Sequence, residues 1–187
     1  MSAGIRILGI DPGSRSTGYG VIELDGQRSR CLAHGCIRCE GASLPERLLK
    51  ILRDLEAVIR EFSPSEAAVE QVFVRRNVAS SLILGQARGA AICALAAAEL
   101  PLAEYAPAQI KSALVGHGRA EKPQIQHMVK VLLSLRTAPS ADAADALAVA
   151  LCHAHLRRAP QRPGARRSAR SSWRQFVPQA VPRSAKP

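Results

Sequence analysis

The stretch from residue 5 to residue 39 constrains the fold most, because it holds three strand-like runs with only tight turns between them. "IRILGID" (5 to 11) is a short apolar run with the character of a central strand, and "TGYGVIEL" (17 to 24) alternates as a second. "RCLAHGCIRC" (30 to 39) follows the Asp25-Gly26 turn as a third. Connections this short predict an antiparallel meander. The rhythm then changes. "LPERLLKILRDLEAVIREF" (44 to 62) sets Leu and Ile three and four residues apart, the spacing of an amphipathic helix. "EAAVEQVF" (66 to 73) returns to strand, and residues 78 to 100 predict a long helix of mostly small side chains. A fifth strand at 101 to 106, helices at 107 to 115 and 122 to 135, and a last helix opened by Ser140 complete the series. The order predicts an α/β domain: a mixed five-stranded sheet flanked by helices.

With 187 residues, 47% of them hydrophobic, the chain suits one domain with a sizeable core and is short for two. Apolar runs such as "GAAICALAAA" (89 to 98) stop short of the roughly 18 residues of a membrane span, and the N-terminus enters a strand without a signal-peptide core. A soluble, cytoplasmic protein is expected. The net charge of +11 is unevenly placed: nine of the 26 basic residues, and no acid, lie from Arg157 onward. Residues 1–156 therefore read as the folded domain, and residues 157–187, rich in Arg, Pro and Ser, as a basic arm of disordered composition. Such an arm would attract nucleic-acid phosphates, with Trp173 and Phe176 available to stack on bases; a basic terminus without a task is the plainer account. The five cysteines sit in apolar settings and predict reduced thiols. Cys36 and Cys39 have CxxC spacing that a zinc site completed by Cys152, His153 or His155 could use. A second close cysteine pair is missing, so small buried thiols account for them better.

The informative residues are acids in apolar surroundings. "PSADAADALAVAL" (139 to 151) places Asp142 and Asp145 on one helical face. Ser140 suits the N-cap and Asp142 the first turn, where the helix dipole favours an acid. Capping does not explain Asp145, which stands further in among Ala143, Ala144, Ala146 and Leu147. Asp11 ends the first strand, and Glu70 interrupts an apolar one. If the first and fourth strands are neighbours, all four acids converge where the last helix starts. Like charges about 4 Å apart repel by on the order of 4 kcal/mol at an effective dielectric of about 20. Protons or cations must then sit among them. An all-oxygen set selects Mg²⁺ or Mn²⁺ over zinc, and paired hard cations are a common device for phosphodiester hydrolysis.

Five segments, "ILGIDPGSRSTGYGVI", "EQVFVRRN", "LGQARG", "EKPQIQHMV" and "ADAADALAVA", resemble the bacterial RuvC family of crossover junction endodeoxyribonucleases in order and approximate spacing. The resemblance spans about residues 5 to 156. It implies an RNase H-like fold and a homodimer that resolves four-way (Holliday) junction DNA in recombination and repair. Each subunit would nick one of two strands of like polarity, leaving 5'-phosphate and 3'-hydroxyl ends. It also implies two Mg²⁺ per subunit, replaceable by Mn²⁺, and cooperation with the RuvAB branch-migration complex. The family's catalytic, metal-binding acids carry over onto Asp11, Glu70, Asp142 and Asp145; some members have histidine at the third position. Phe73 resembles the family aromatic that stacks on an unpaired base, Arg75 and Arg76 suit phosphates beside it, and Lys111 and Lys122 match family lysines near the cleaved strand. The long helix from Val78 is the candidate dimer interface, although its Gly85 and Gly89 would equally serve close packing within one chain.

Three other functions fit parts of the pattern. An RNA nuclease, RNase H-like or resembling the YqgF-type maturation enzymes, would share the "GIDPG" start but depend on a 2'-hydroxyl. An actin-like or sugar-kinase-like ATP-binding domain would need a second lobe. A binding module without catalysis would not carry four acids against a phosphate.

Overall fold

The structure is a computed structural model, and it describes residues 4–26, 28–39, 41, 43–72 and 78–157. Phe73, Arg75, Arg76 and the tail from residue 158 lie outside the described residues. Strands β1 (Ile5–Asp11), β2 (Ser16–Asp25) and β3 (Arg28–Arg38) form the antiparallel meander. On the other side of β1, β4 (Glu66–Glu70) and then β5 (Leu102–Tyr105) add in parallel, giving the order β3-β2-β1-β4-β5. The first and fourth strands are thus neighbours, as convergence of the acids requires. Ile10 pairs with Val69, so Asp11 and Glu70 leave the sheet side by side one residue further on.

Strand periodicity assigns their face. Leu8, Ile10, Ala67 and Val69 point into one core with helices α1 (Leu44–Phe62) and α2 (Val78–Ala97). Ile7 and Ala68 point into the other. Side chains alternate along a strand, so Asp11 and Glu70 share the second face. That face is covered by α5 (Ala141–Leu156), with α3 (Pro107–Val115) and α4 (Lys122–Leu132) packed on it. From Ala143 to Ala154 every residue of α5 is buried except Asp145.

The sheet is thinned by glycines under α5. A Cβ at Gly9 would collide with the Ala146 carbonyl, and one at Gly18 with that of Asp142. Only hydrogen at these positions lets an alanine-rich helix lie directly on β1 and β2, which fixes where its acids emerge. On the opposite layer α2 uses its small residues twice. Ala87, Ala91, Ala94 and Leu95 are buried against the sheet and α1, whereas Val78 and Leu82 are 62% and 64% exposed and a Cβ at Gly85 or Gly89 would meet nothing. By length and composition α2 could cross a membrane, which the reading of shorter apolar runs did not anticipate. Its Arg88 is instead paired with Glu104 of β5 at 2.7 Å.

Candidate active site

Asp11 is presented by a braced turn. Fully buried Thr17 donates from its hydroxyl to the Gly13 carbonyl at 3.2 Å and accepts from the Gly13 N–H at 3.4 Å. The Arg47 guanidinium donates to the Ser14 carbonyl at 3.2 Å, and the Cys39 N–H to Arg15 at 2.9 Å. Glu70 comes from the adjacent strand end. Asp142 and Asp145 come from the first turns of α5, whose start is held by Ser140 in an unexpected way. The Ser140 carbonyl accepts the Ala144 N–H at 2.8 Å, as an N-cap should, but its hydroxyl lies 3.0 Å from the Cys36 thiol and caps nothing.

Asp11, Glu70, Asp145, Lys111 and Lys122 line one cleft of about 360 Å³, with Ile110 and Ile125 as apolar wall. Burial pushes the Asp11 carboxyl up from 3.8 to about 8, assisted by the charge of Glu70, a hydrogen bond with Glu70, and the charges of Asp145 and Asp142. Asp11 and Glu70 therefore meet through a shared proton. Asp145 meets the Lys122 ammonium at 2.6 Å, and that bond raises the Lys122 pKa. Asp142 is not part of the cleft lining, yet it is close enough for Asp11 to feel its charge.

The negative charge is thus met by protein groups, and no three His, Cys, Asp or Glu side chains form a metal-holding set among the described residues. The donor chemistry nonetheless fits a hard divalent cation: only oxygen, from three separate elements, with Asp11 kept protonated at neutral pH by burial and by the neighbouring carboxylates. The CxxC pair offers no comparable set. Cys36 faces Ser140, whereas Cys39 is buried in the opposite core, as odd spacing on a strand dictates. His153 and His155 bond elsewhere, to Tyr105 and Glu66 and to the Ala113 carbonyl.

Lys111 and Lys122, which composition alone would place on solvated helix faces, reach the cleft from α3 and from the first residue of α4. Thr17 was not singled out from the sequence. Its signal, a hydroxyl four residues after a turn glycine, is too common to stand out.

The family model for crossover junction endodeoxyribonuclease RuvC matches residues 7–153. A crossover junction endodeoxyribonuclease RuvC from Shewanella amazonensis is 54% identical over 168 residues, spanning 90% of this chain and 97% of its own. Another from Shewanella sp. (strain MR-4) is 56% identical over 149 residues, spanning 80% and 86%. Among solved structures, T. thermophilus RuvC in complex with Holliday junction substrate has a TM-score of 0.78 at 36% identity, covering 82% of this chain and 95% of that one. The α/β architecture expected from the element order is that of this RNase H-like structure. The chain belongs to the RuvC family of crossover junction endodeoxyribonucleases.

Proposed function

We propose that the protein resolves Holliday junctions in homologous recombination and DNA repair, with Asp11, Glu70, Asp142 and Asp145 as its catalytic, metal-binding acids. The observation that carries this reading is one cleft holding three of those acids and two lysines in a chain of this family. The T. thermophilus relative is bound to a Holliday junction substrate, which supports four-way DNA as the substrate here. A soluble protein acting on cytoplasmic DNA is the corresponding setting.

Bound among the carboxylates, two Mg²⁺ ions, or Mn²⁺ in their place, would activate the attacking water and stabilise the leaving 3'-oxygen of an in-line displacement. The chain supplies rigid placement. Asp11 and Glu70 project from adjacent strand ends, about 4.8 Å apart across the ladder, and Asp145 from a helix locked onto the sheet. Lys111 and Lys122 bring ammonium groups to the same cleft, where they neutralise the scissile phosphate and the charge that develops on it. With a cation held by Asp145, the Lys122 ammonium that now pairs with it would be free for a phosphate oxygen. Phe73 would stack on an unpaired base near the crossover and Arg75 and Arg76 would hold phosphates beside it, as family resemblance suggests.

A homodimer follows from the substrate's near-twofold symmetry, since paired symmetric nicks need two sites in fixed relation. The outward face of α2, with Val78, Leu82, Gly85 and Gly89, is the interface we assign. Family membership also supports the RuvAB branch-migration complex as a partner. The experiment is cleavage and junction binding by Asp11→Asn, Glu70→Gln and Asp145→Asn. Each should lower the cleavage rate by about a thousandfold or more while junction affinity in EDTA persists; wild-type cutting by Asp145→Asn would sink the assignment.

A further inference from the structure

A second polar cluster lies on the α5 side of the sheet, and nothing in the cleft chemistry uses it. The hydroxyl of Tyr105, the last residue of β5, is 2.7 Å from Nδ1 of His153 on α5. Nε2 of His153 is 2.7 Å from Oε2 of Glu66 at the start of β4. Arg157 closes the chain by donating to both oxygens of Glu66, at 2.8 and 2.6 Å. His153 and Thr17 are the buried polar residues among those described.

The chemistry of the two partners orders the bonds at His153. Burial pushes the Tyr105 phenol up to about 12, so its hydroxyl stays a neutral donor. Burial alone would raise Glu66, but the bonds from Arg157 and His153 outweigh it and hold the carboxyl low, an ionised acceptor. A neutral His153 ring that donates from Nε2–H to Glu66 accepts the Tyr105 hydroxyl at Nδ1, so the Glu66–Arg157 pair selects that tautomer.

The other end of this relay reaches the acid site. Tyr105 and Glu70 are register partners on neighbouring strands, and the Gln71 N–H donates to the Tyr105 carbonyl at 2.8 Å. The residue after Tyr105 is the N-cap of α3, which carries Lys111 into the cleft. His153 lies about two turns along the same buried helix as Asp145.

We propose that Tyr105 and His153 are positioning residues for the acid site: their hydrogen bond ties the β5–α3 junction, and with it Glu70 and Lys111, to the helix that carries Asp145. This rests on the acid-site reading above. Without the bond, β5 and α3 would be held to α5 by apolar contacts and by the exposed His155–Ala113 carbonyl bond at 3.1 Å near the far end of the helix, and a misplacement of about 1 Å is enough to slow chemistry substantially.

The test is single-turnover cleavage of a four-way DNA junction by the full chain over a Mg²⁺ series, with junction affinity measured separately in EDTA. Tyr105→Phe removes only the hydroxyl. His153→Gln keeps a donor for Glu66 and loses Tyr105, whereas His153→Asn keeps an acceptor for Tyr105 and loses Glu66. Tyr105→Phe and His153→Gln should each cut about 3- to 30-fold more slowly and need more Mg²⁺ for half-maximal rate, with affinity within about twofold of wild type. His153→Asn should cut close to the wild-type rate. Wild-type rates and Mg²⁺ dependence in Tyr105→Phe would overturn the proposal, as would equal losses in all three variants or losses matched in affinity, which mark a packing role. Glu70→Gln serves as the control: if it is inactive while Tyr105→Phe is normal, only the relay fails, and if it cuts normally the acid site and the relay's role fail together.

Discussion

At neutral pH Asp11 holds a proton that an ordinary aspartate would have lost, because it is buried among carboxylates. The folded state binds that proton up to about pH 8 and the unfolded chain only to about 3.8. Stability is therefore full below the lower value and is lost as pH rises through the upper one. In EDTA, the wild-type melting temperature should fall between pH 5 and pH 8 more steeply than that of Asp11→Asn. The variant should be the more stable at pH 8 by about 1–3 kcal/mol; parallel curves would mean that Asp11 is not strained by its neighbours. This conflict is also why the acids were legible in the sequence. A carboxylate inside "ILGID", "AAVEQ" or "ADAADALA" breaks an apolar pattern. Tyr105 and His153 break none, since a tyrosine at a strand end and a histidine on an apolar helix are ordinary residues whose partners lie 48 and 87 positions away in sequence.

At the scale of elements, α5 on its glycine bed is the part most sensitive to small change. Gly18→Ala would drive a methyl group into the Asp142 carbonyl, a backbone atom that cannot swing aside as a flexible side chain would. Thermal unfolding should report a loss of about 2–4 kcal/mol, and cleavage should fall further than stability explains, because the displaced turn carries an acid. A Gly18→Ala protein with unchanged melting and activity would show that α5 can lift off β2 at no cost. The elements themselves could be read from sequence because periodicity and turn residues are local: the meander, α1 and the Ser140 start of α5 emerged within a residue or two. The two faces of α2 could not be told apart. When small residues surround a helix, burial of Ala87 and exposure of Gly85 depend on which neighbour arrives, and no pattern in the helix records it.

At the scale of the whole molecule, the proposed dimer pairs through the α2 face that exposes Val78 and Leu82, so Leu82→Glu should leave a folded monomer in sedimentation equilibrium. A persistent dimer would move the interface elsewhere. The arrangement that makes the site, β1 beside β4 with α5 above both, was foreseen only as a condition, since sheet order follows from packing across the chain and not from any one segment. The central claim, that this cleft cuts branched DNA with the help of divalent metal, is tested most directly with the wild-type chain. It would be given a synthetic four-way DNA junction, a linear duplex and an RNA:DNA hybrid, each with Mg²⁺ and with EDTA. The account predicts symmetric nicks confined to the junction and dependent on Mg²⁺; cutting of the hybrid alone, or undiminished cutting in EDTA, would contradict it.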